Sequence, residues 1–148
     1  MEQRPLGFLL AAVGQQTMSA FRARLEPLGI HPRAYAVLWA VSEGSDPSQR
    51  DLSRALGLPA SRMVGLLDGL QGDGLIERAP DPGDRRTHRV RLTDHGRRTV
   101  DRLQAEASAL DDAMIADLSE DDRHRLRELL TLVSARLAEE GTTSSRLW

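Results

Sequence analysis

The sequence predicts a mainly α fold carrying a small β-wing, and three observations point there. Apolar residues make up 40% of the 148 positions but aromatics only 3%, so the core must be built from Leu, Val and Ala, a set that favours helices. Apolar positions recur at three-and-four spacing through most of the chain, as one-sided helices require. Only around residues 75–93 does that period give way to alternation, on either side of a Pro-Gly turn cluster. A chain of this length is one domain's worth and can bury a core without disulfides.

Leu6, Leu9, Leu10, Val13, Thr17, Phe21 and Leu25 form the stripe of a first helix, broken by Pro27, Gly29 and Pro32. Pro32 suits the first turn of a second helix, with Ala34, Val37, Leu38 and Val41 inward. After the loop "SEGSDPS", Ser48 and Asp51 have capping-box spacing for a third helix, expected to bury Leu52, Ala55 and Leu56 and to stop at Gly57. Beyond the turn Gly57-Leu58-Pro59, Met63, Leu66, Leu67 and Leu70 make the inner face of a fourth helix. Two helices joined so tightly are a helix-turn-helix candidate.

Leu75–Arg78 then reads as a short strand and 80–84 as a turn. His88–Thr93 reads as a half-buried strand, Val90 and Leu92 inward and Arg89 and Arg91 outward. A hairpin placed directly after a helix-turn-helix occupies the position of a wing. Thr93 caps a long helix expected to reach Leu118, with Val100, Leu103, Ala107, Leu110 and Met114 as its seam. Ser119 and Asp122 repeat the capping spacing before a last helix striped by Leu126, Leu129, Leu130, Val133 and Leu137. The tail 141–148 is expected to be flexible.

Composition narrows the chemistry. There is no Cys, which excludes disulfide scaffolds, zinc-thiolate sites, thiol catalysis and cysteine redox sensing. Four scattered His add no nucleophile–base constellation, so neither catalytic residues nor a cofactor is expected. Asp121, His124 and Glu128 share a helix face but read as ordinary polar surface, and no metal is expected. The apolar run Leu6–Val13 mimics a secretion signal, yet it continues as an amphipathic helix, and no segment approaches the roughly 20 apolar residues of a membrane span. A cytoplasmic protein without membrane contact is the expectation.

Charge is uneven. All 20 basic residues are Arg and the net charge is -2, but residues 1–49 balance at 0, 50–102 carry +3, and 103–148 carry -5. Seven Arg against three Asp lie between Gly83 and Arg102. One anion-binding face on an otherwise neutral-to-acidic body follows.

With these elements in order, "LSRALGLPASRMVGLLDGLQGDGLIERAPDPGDRRTHRVRLTDHGRR" resembles the multiple-antibiotic-resistance regulator (MarR) family of bacterial transcription factors. "GLIER", "DPGDRR" and "VRLTDHG" carry the likeness over residues 50–98, and the flanking helices match in length and place. The resemblance implies a single winged helix-turn-helix domain over 1–148, with a DNA-binding lobe at 31–98. It also implies a homodimer in which N- and C-terminal dimerisation helices, 5–26 plus 99–140, interleave between subunits. Helix 60–72 would be the recognition helix, and Asp84 and Arg86 the wing pair, the acid orienting an arginine that enters the minor groove. A small-molecule effector would alter DNA binding.

The residues have their own chemistry beside that likeness. Minor grooves concentrate negative potential, and an arginine there reads groove width rather than base identity. A turn tipped by Arg85 and Arg86 and held by Asp84 suits that task. Arg89 and Arg91, like Arg97 and Arg98, are spaced to reach phosphates, and Ser48, Arg50 and Arg54 are further candidate phosphate anchors. The outer face of helix 60–72 centres on Ser61, Gly65, Asp68 and Gly72, flanked by Arg62, Gly69 and Val64. Two readings follow. Glycines let the backbone lie deep in the major groove while Ser61 and Arg62 read bases, or the helix binds weakly and the wing supplies most of the affinity. The second is favoured, with Asp68 a structural partner for an arginine.

Gln16, His31, Tyr35 and Trp39 are the candidate effector residues, and for the aromatic pair packing is the competing reading. The terminal stripes are longer than one lobe can cover, so a homodimer is also the physical expectation. The function expected is a sequence-specific transcriptional repressor on a pseudo-palindromic operator in double-stranded DNA, modulated by a small molecule. The alternative is a helical protein-interaction module that keeps the fold but binds DNA weakly.

Overall fold

In the computed structural model, which describes residues 4–83 and 87–139, helix α1 spans Leu6–Leu25 and a 3-10 turn covers Glu26–Leu28. Helices α2 (Pro32–Glu43), α3 (Gln49–Leu56) and α4 (Ala60–Gly72) precede strands β1 (Ile76–Pro80) and β2 (His88–Leu92). Helices α5 (Asp94–Met114) and α6 (Glu120–Glu139) complete the described chain.

Local chemistry explains the boundaries. Pro32 opens α2 where its missing amide costs nothing, and His31 Nδ1 accepts from the Arg33 amide at 3.2 Å. Ser48 and Asp51 cap α3 reciprocally, each side chain accepting from the other residue's amide. Gly57 ends α3 at φ 62°, a left-handed conformation that glycine adopts without penalty. The strands pair antiparallel, Ile76 opposite Leu92 and Pro80 opposite His88.

Phe21, Leu25, Val37, Leu38, Leu52, Met63, Leu67, Ile76, Val90 and Leu103 form one continuous buried core, so α2, α3, α4, the hairpin and the first half of α5 are welded together. Three expectations need correction. Ala55 is exposed rather than buried, because α3 is short and its inward stripe is covered by Leu52 and Leu56 alone. Helix α5 stops at Met114, short of Leu118, whose amide turns back to the Ile115 carbonyl at 3.0 Å. Strand β1 begins at Ile76 and runs through Pro80; Leu75 precedes it, its carbonyl accepting from the Thr93 amide at 3.1 Å.

Among the described residues, helix α6 packs against almost none of the other elements. Its Leu126, Leu129, Leu130 and Leu137 are exposed, as are Leu6, Leu9 and Val13 on α1. Met114, Ile115, Leu126 and Leu130 line an open groove of about 630 Å³ between α5 and α6. Among the described residues no helix is long and apolar enough to cross a membrane.

Candidate nucleic-acid interface

The N-terminus of α3, the end of α4 and the middle and turn end of the hairpin converge on a cleft of about 570 Å³, lined among others by Gln49, Arg50, Gln71, Arg78 and His88. Ser48 lies at its edge, buried, its hydroxyl donating to Asp51 Oδ2 at 2.6 Å and accepting from the Asp51 amide at 3.2 Å. The hydroxyl's hydrogen bond, and a second from the Ser48 amide to the same oxygen at 3.0 Å, hold the Asp51 carboxyl below the usual carboxylate range. Arg50 and Arg54 are exposed beside it, Arg54 only loosely paired with Asp51 at 3.9 Å.

Helix α4 turns Ser61, Arg62 and Gly65 to solvent. A Cβ built at Gly65, Gly69 or Gly72 would meet nothing within 4 Å, so packing does not demand these glycines. Asp68 pairs with Arg78, which also donates from Nε to Gln71 Oε1 at 2.7 Å. The acid that looked out of place on a DNA-facing helix thus braces α4 against β1.

Arg89 and Arg91 do project from the outer side of β2, but each meets a carboxylate. Arg91 forks onto Asp46 Oδ2 through Nε at 2.7 Å and an Nη at 2.6 Å, and the Asp46 carboxylate raises the arginine's pKa further. Arg89 donates from Nε to Asp81 Oδ2 at 2.5 Å and from Nη1 to the Asp46 carbonyl at 3.2 Å. Behind them the Val90 amide donates to the Pro47 carbonyl at 2.9 Å, and Ser48 bridges to Arg89 as a strand would. Asp84, Arg85 and Arg86 lie outside the described residues, as does the tail 141–148.

Sequence reasoning passed over Asp46 and Asp81. An acid before proline and an acid within a turn cluster were the available signals, but the partners are 45 and 8 residues away. At the far end of β2, Thr93 donates to the Gly74 carbonyl at 2.6 Å and accepts from the Gly96 amide at 2.9 Å, so one hydroxyl ties the hairpin to the start of α5. Arg97 is engaged locally, with Asp94 and the Leu92 carbonyl, whereas Arg98 is exposed.

The four candidate effector residues are not drawn into one site. Tyr35 is buried, its ring edge-on to Phe21 at 5.3 Å and tilted to Trp39 at 6.1 Å. Burial, and secondarily the charge of Asp111, raises the Tyr35 pKa. Trp39 is part-exposed at 39%, Gln16 is exposed on α1, and His31 is spent as the α2 cap. On α6, His124 pairs with Glu128 at 3.1 Å.

A helix-turn-helix followed by a two-stranded wing defines a winged-helix regulator of transcription. The sequence profile of the MarR family matches residues 28–87. A MarR-family transcriptional regulator from Rhodococcus sp. RHA1 is 31% identical, with 88% of this chain and 96% of that one superposing at a TM-score of 0.76. The chain belongs to the MarR family. The HTH-type transcriptional repressor IacR of Pseudomonas putida is 26% identical over 89% of this chain and 78% of its own length. The repressor CouR, solved on a 23-mer DNA duplex, is 27% identical, with 90% and 99% coverage and a TM-score of 0.81. CouR from Rhodococcus jostii RHA1 has also been solved bound to p-coumaroyl-CoA, at 29% identity, 87% and 91% coverage and a TM-score of 0.73.

Proposed function

We propose that this chain is a homodimeric, sequence-specific DNA-binding transcriptional repressor whose affinity for a pseudo-palindromic operator is modulated by a small molecule. The observation that carries the reading is the convergence of α3, the end of α4 and the hairpin on one cleft that includes Arg50 and Arg78, while α4 exposes Ser61, Arg62 and Gly65 to solvent. DNA-bound and ligand-bound forms of CouR support both halves of it. The DNA-binding lobe is residues 31–98, and segments 5–26 plus 99–140 are the dimerisation helices.

Ser61, Arg62 and the bare backbone at Gly65 face the major groove, and Arg50 and Arg54 meet phosphate. Ser48 contributes through the helix end that it caps. Asp84, Arg85 and Arg86 form the wing tip, Arg86 entering the minor groove. The effector reaches the Tyr35–Trp39 pair, of which Trp39 is the part-exposed member. The chain works in the cytoplasm as a binding protein rather than an enzyme.

Fluorescence anisotropy with a labelled duplex from the chain's own upstream region tests this. Tight binding should weaken steeply with salt, since each neutralised phosphate contributes about -0.9 to the log–log slope. The glycine-rich face of α4, poor in positive charge, favours a second reading, a protein-interaction module with weak DNA binding. Salt-insensitive or absent binding to a palindrome-containing duplex would select it.

A further inference from the structure

Both outward arginines of β2 end on carboxylates, one from the α2–α3 loop and one from the hairpin's own turn. We propose that Asp46 and Asp81 are wing-positioning residues, holding Arg91 and Arg89 as struts that set the hairpin's angle to α4 rather than leaving them as phosphate ligands.

Three independent features meet at Asp46. It is the one non-glycine residue with positive φ among the described residues, at 53°, a conformation that Asp tolerates better than most. That turn aims its carboxylate at Arg91 and its carbonyl at Arg89. It also brings the next residue, Pro47, alongside β2, where its carbonyl accepts from Val90. Ser48 thereby makes a single antiparallel bridge to Arg89 of β2, and segment 46–48 leads straight into the capped N-terminus of α3.

Asp81 completes the arrangement from inside the hairpin. It is buried, its Oδ1 accepts from the Gly83 amide at 2.7 Å, and its own amide donates to the Thr87 carbonyl at 2.8 Å. Arg89 therefore spans from the hairpin's own turn to the α2–α3 loop. A fork of two hydrogen bonds fixes direction as well as distance, which a lone point charge does not. Wing and recognition helix must touch two different grooves at once, so an error in the angle between them falls mainly on specific binding.

Full-length chain, Arg91→Gln and Asp46→Asn distinguish strut from phosphate ligand. Asparagine keeps the backbone preference at position 46 while removing the charge. Without DNA, hydrogen exchange of the β1 and β2 amides should accelerate in both variants, and the double variant should add little to either one. With the upstream duplex, both should bind about 2- to 5-fold more weakly, the loss expected of one partly exposed pair. The salt slope should stay that of the unaltered chain.

A slope reduced by about 0.9 in Arg91→Gln, with tighter binding in Asp46→Asn, would mean that Arg91 touches phosphate and Asp46 merely masks it. Unchanged exchange in both variants overturns the strut equally. The inference about the groove angle rests on the DNA-binding reading. Failure of the unaltered chain to bind DNA would count against that reading, while the exchange experiment still judges the struts.

Discussion

A methyl group at position 96 would sit 1.9 Å from the carbonyl oxygen of Leu75, far inside any carbon–oxygen contact. Only glycine lets the first turn of α5 lie on the backbone leading into β1. Gly96→Ala should cost about 1–3 kcal/mol, the usual toll of overpacking, seen as a lower urea midpoint. Ser48 gives a second test. The carboxyl of Asp51 is held down by its hydrogen bonds from Ser48, so its stabilisation is present above the ordinary Asp value of about 3.9 and is lost as pH falls through the lower folded value. Ser48→Ala should raise the Asp51 pKa in an NMR titration and lower stability at neutral pH by roughly 1 kcal/mol. That cap was legible because both partners lie within four residues. Gly96 was legible as part of a motif but not as a contact, since Leu75 meets it only after the hairpin has folded back.

Along the elements, periodicity located the six α-helices of the described residues because each carries one apolar stripe, and it failed where that stripe says nothing about length. No glycine or proline marks the end of α5, and apolar Ile115 and Leu118 carry the pattern past the last helical turn. Helix α4 offers the sharpest test at this scale. Glycines whose Cβ would stand in open space weaken a helix by about 0.5–1 kcal/mol each relative to alanine. Gly65→Ala should raise the thermal midpoint accordingly and leave DNA affinity nearly unchanged if the wing dominates. If the backbone at this point lies deep in the groove, the same methyl will weaken binding sharply. Asp68 was read correctly as a structural acid; its partner Arg78 was not named, because the pairing joins a helix to the strand after it.

At the scale of the molecule, the unequal charge of the segments has a structural counterpart. The basic stretch 50–102 forms the lobe and wing, and the acidic stretch 103–148 includes the outlying α6. Among the described residues, the β2 arginines Arg89 and Arg91 are matched by carboxylates, which composition could not show for Arg91, since Asp46 belongs to a loop counted with the neutral first third. Leu130 sits at the open groove between α5 and α6, 45% exposed. Leu130→Arg should shift the chain from dimer to monomer in sedimentation velocity at micromolar concentration, while the α2–α4 lobe keeps its far-ultraviolet signal.

If α6 packs on a second copy, as the proposed dimerisation helices require, folding is tied to mass action. For such a chain the melting temperature rises with protein concentration, and the population able to span two half-sites grows as the square of the free monomer when dimer is scarce. Dilution alone, with no effector present, would then empty an operator more steeply than a one-to-one binding curve allows.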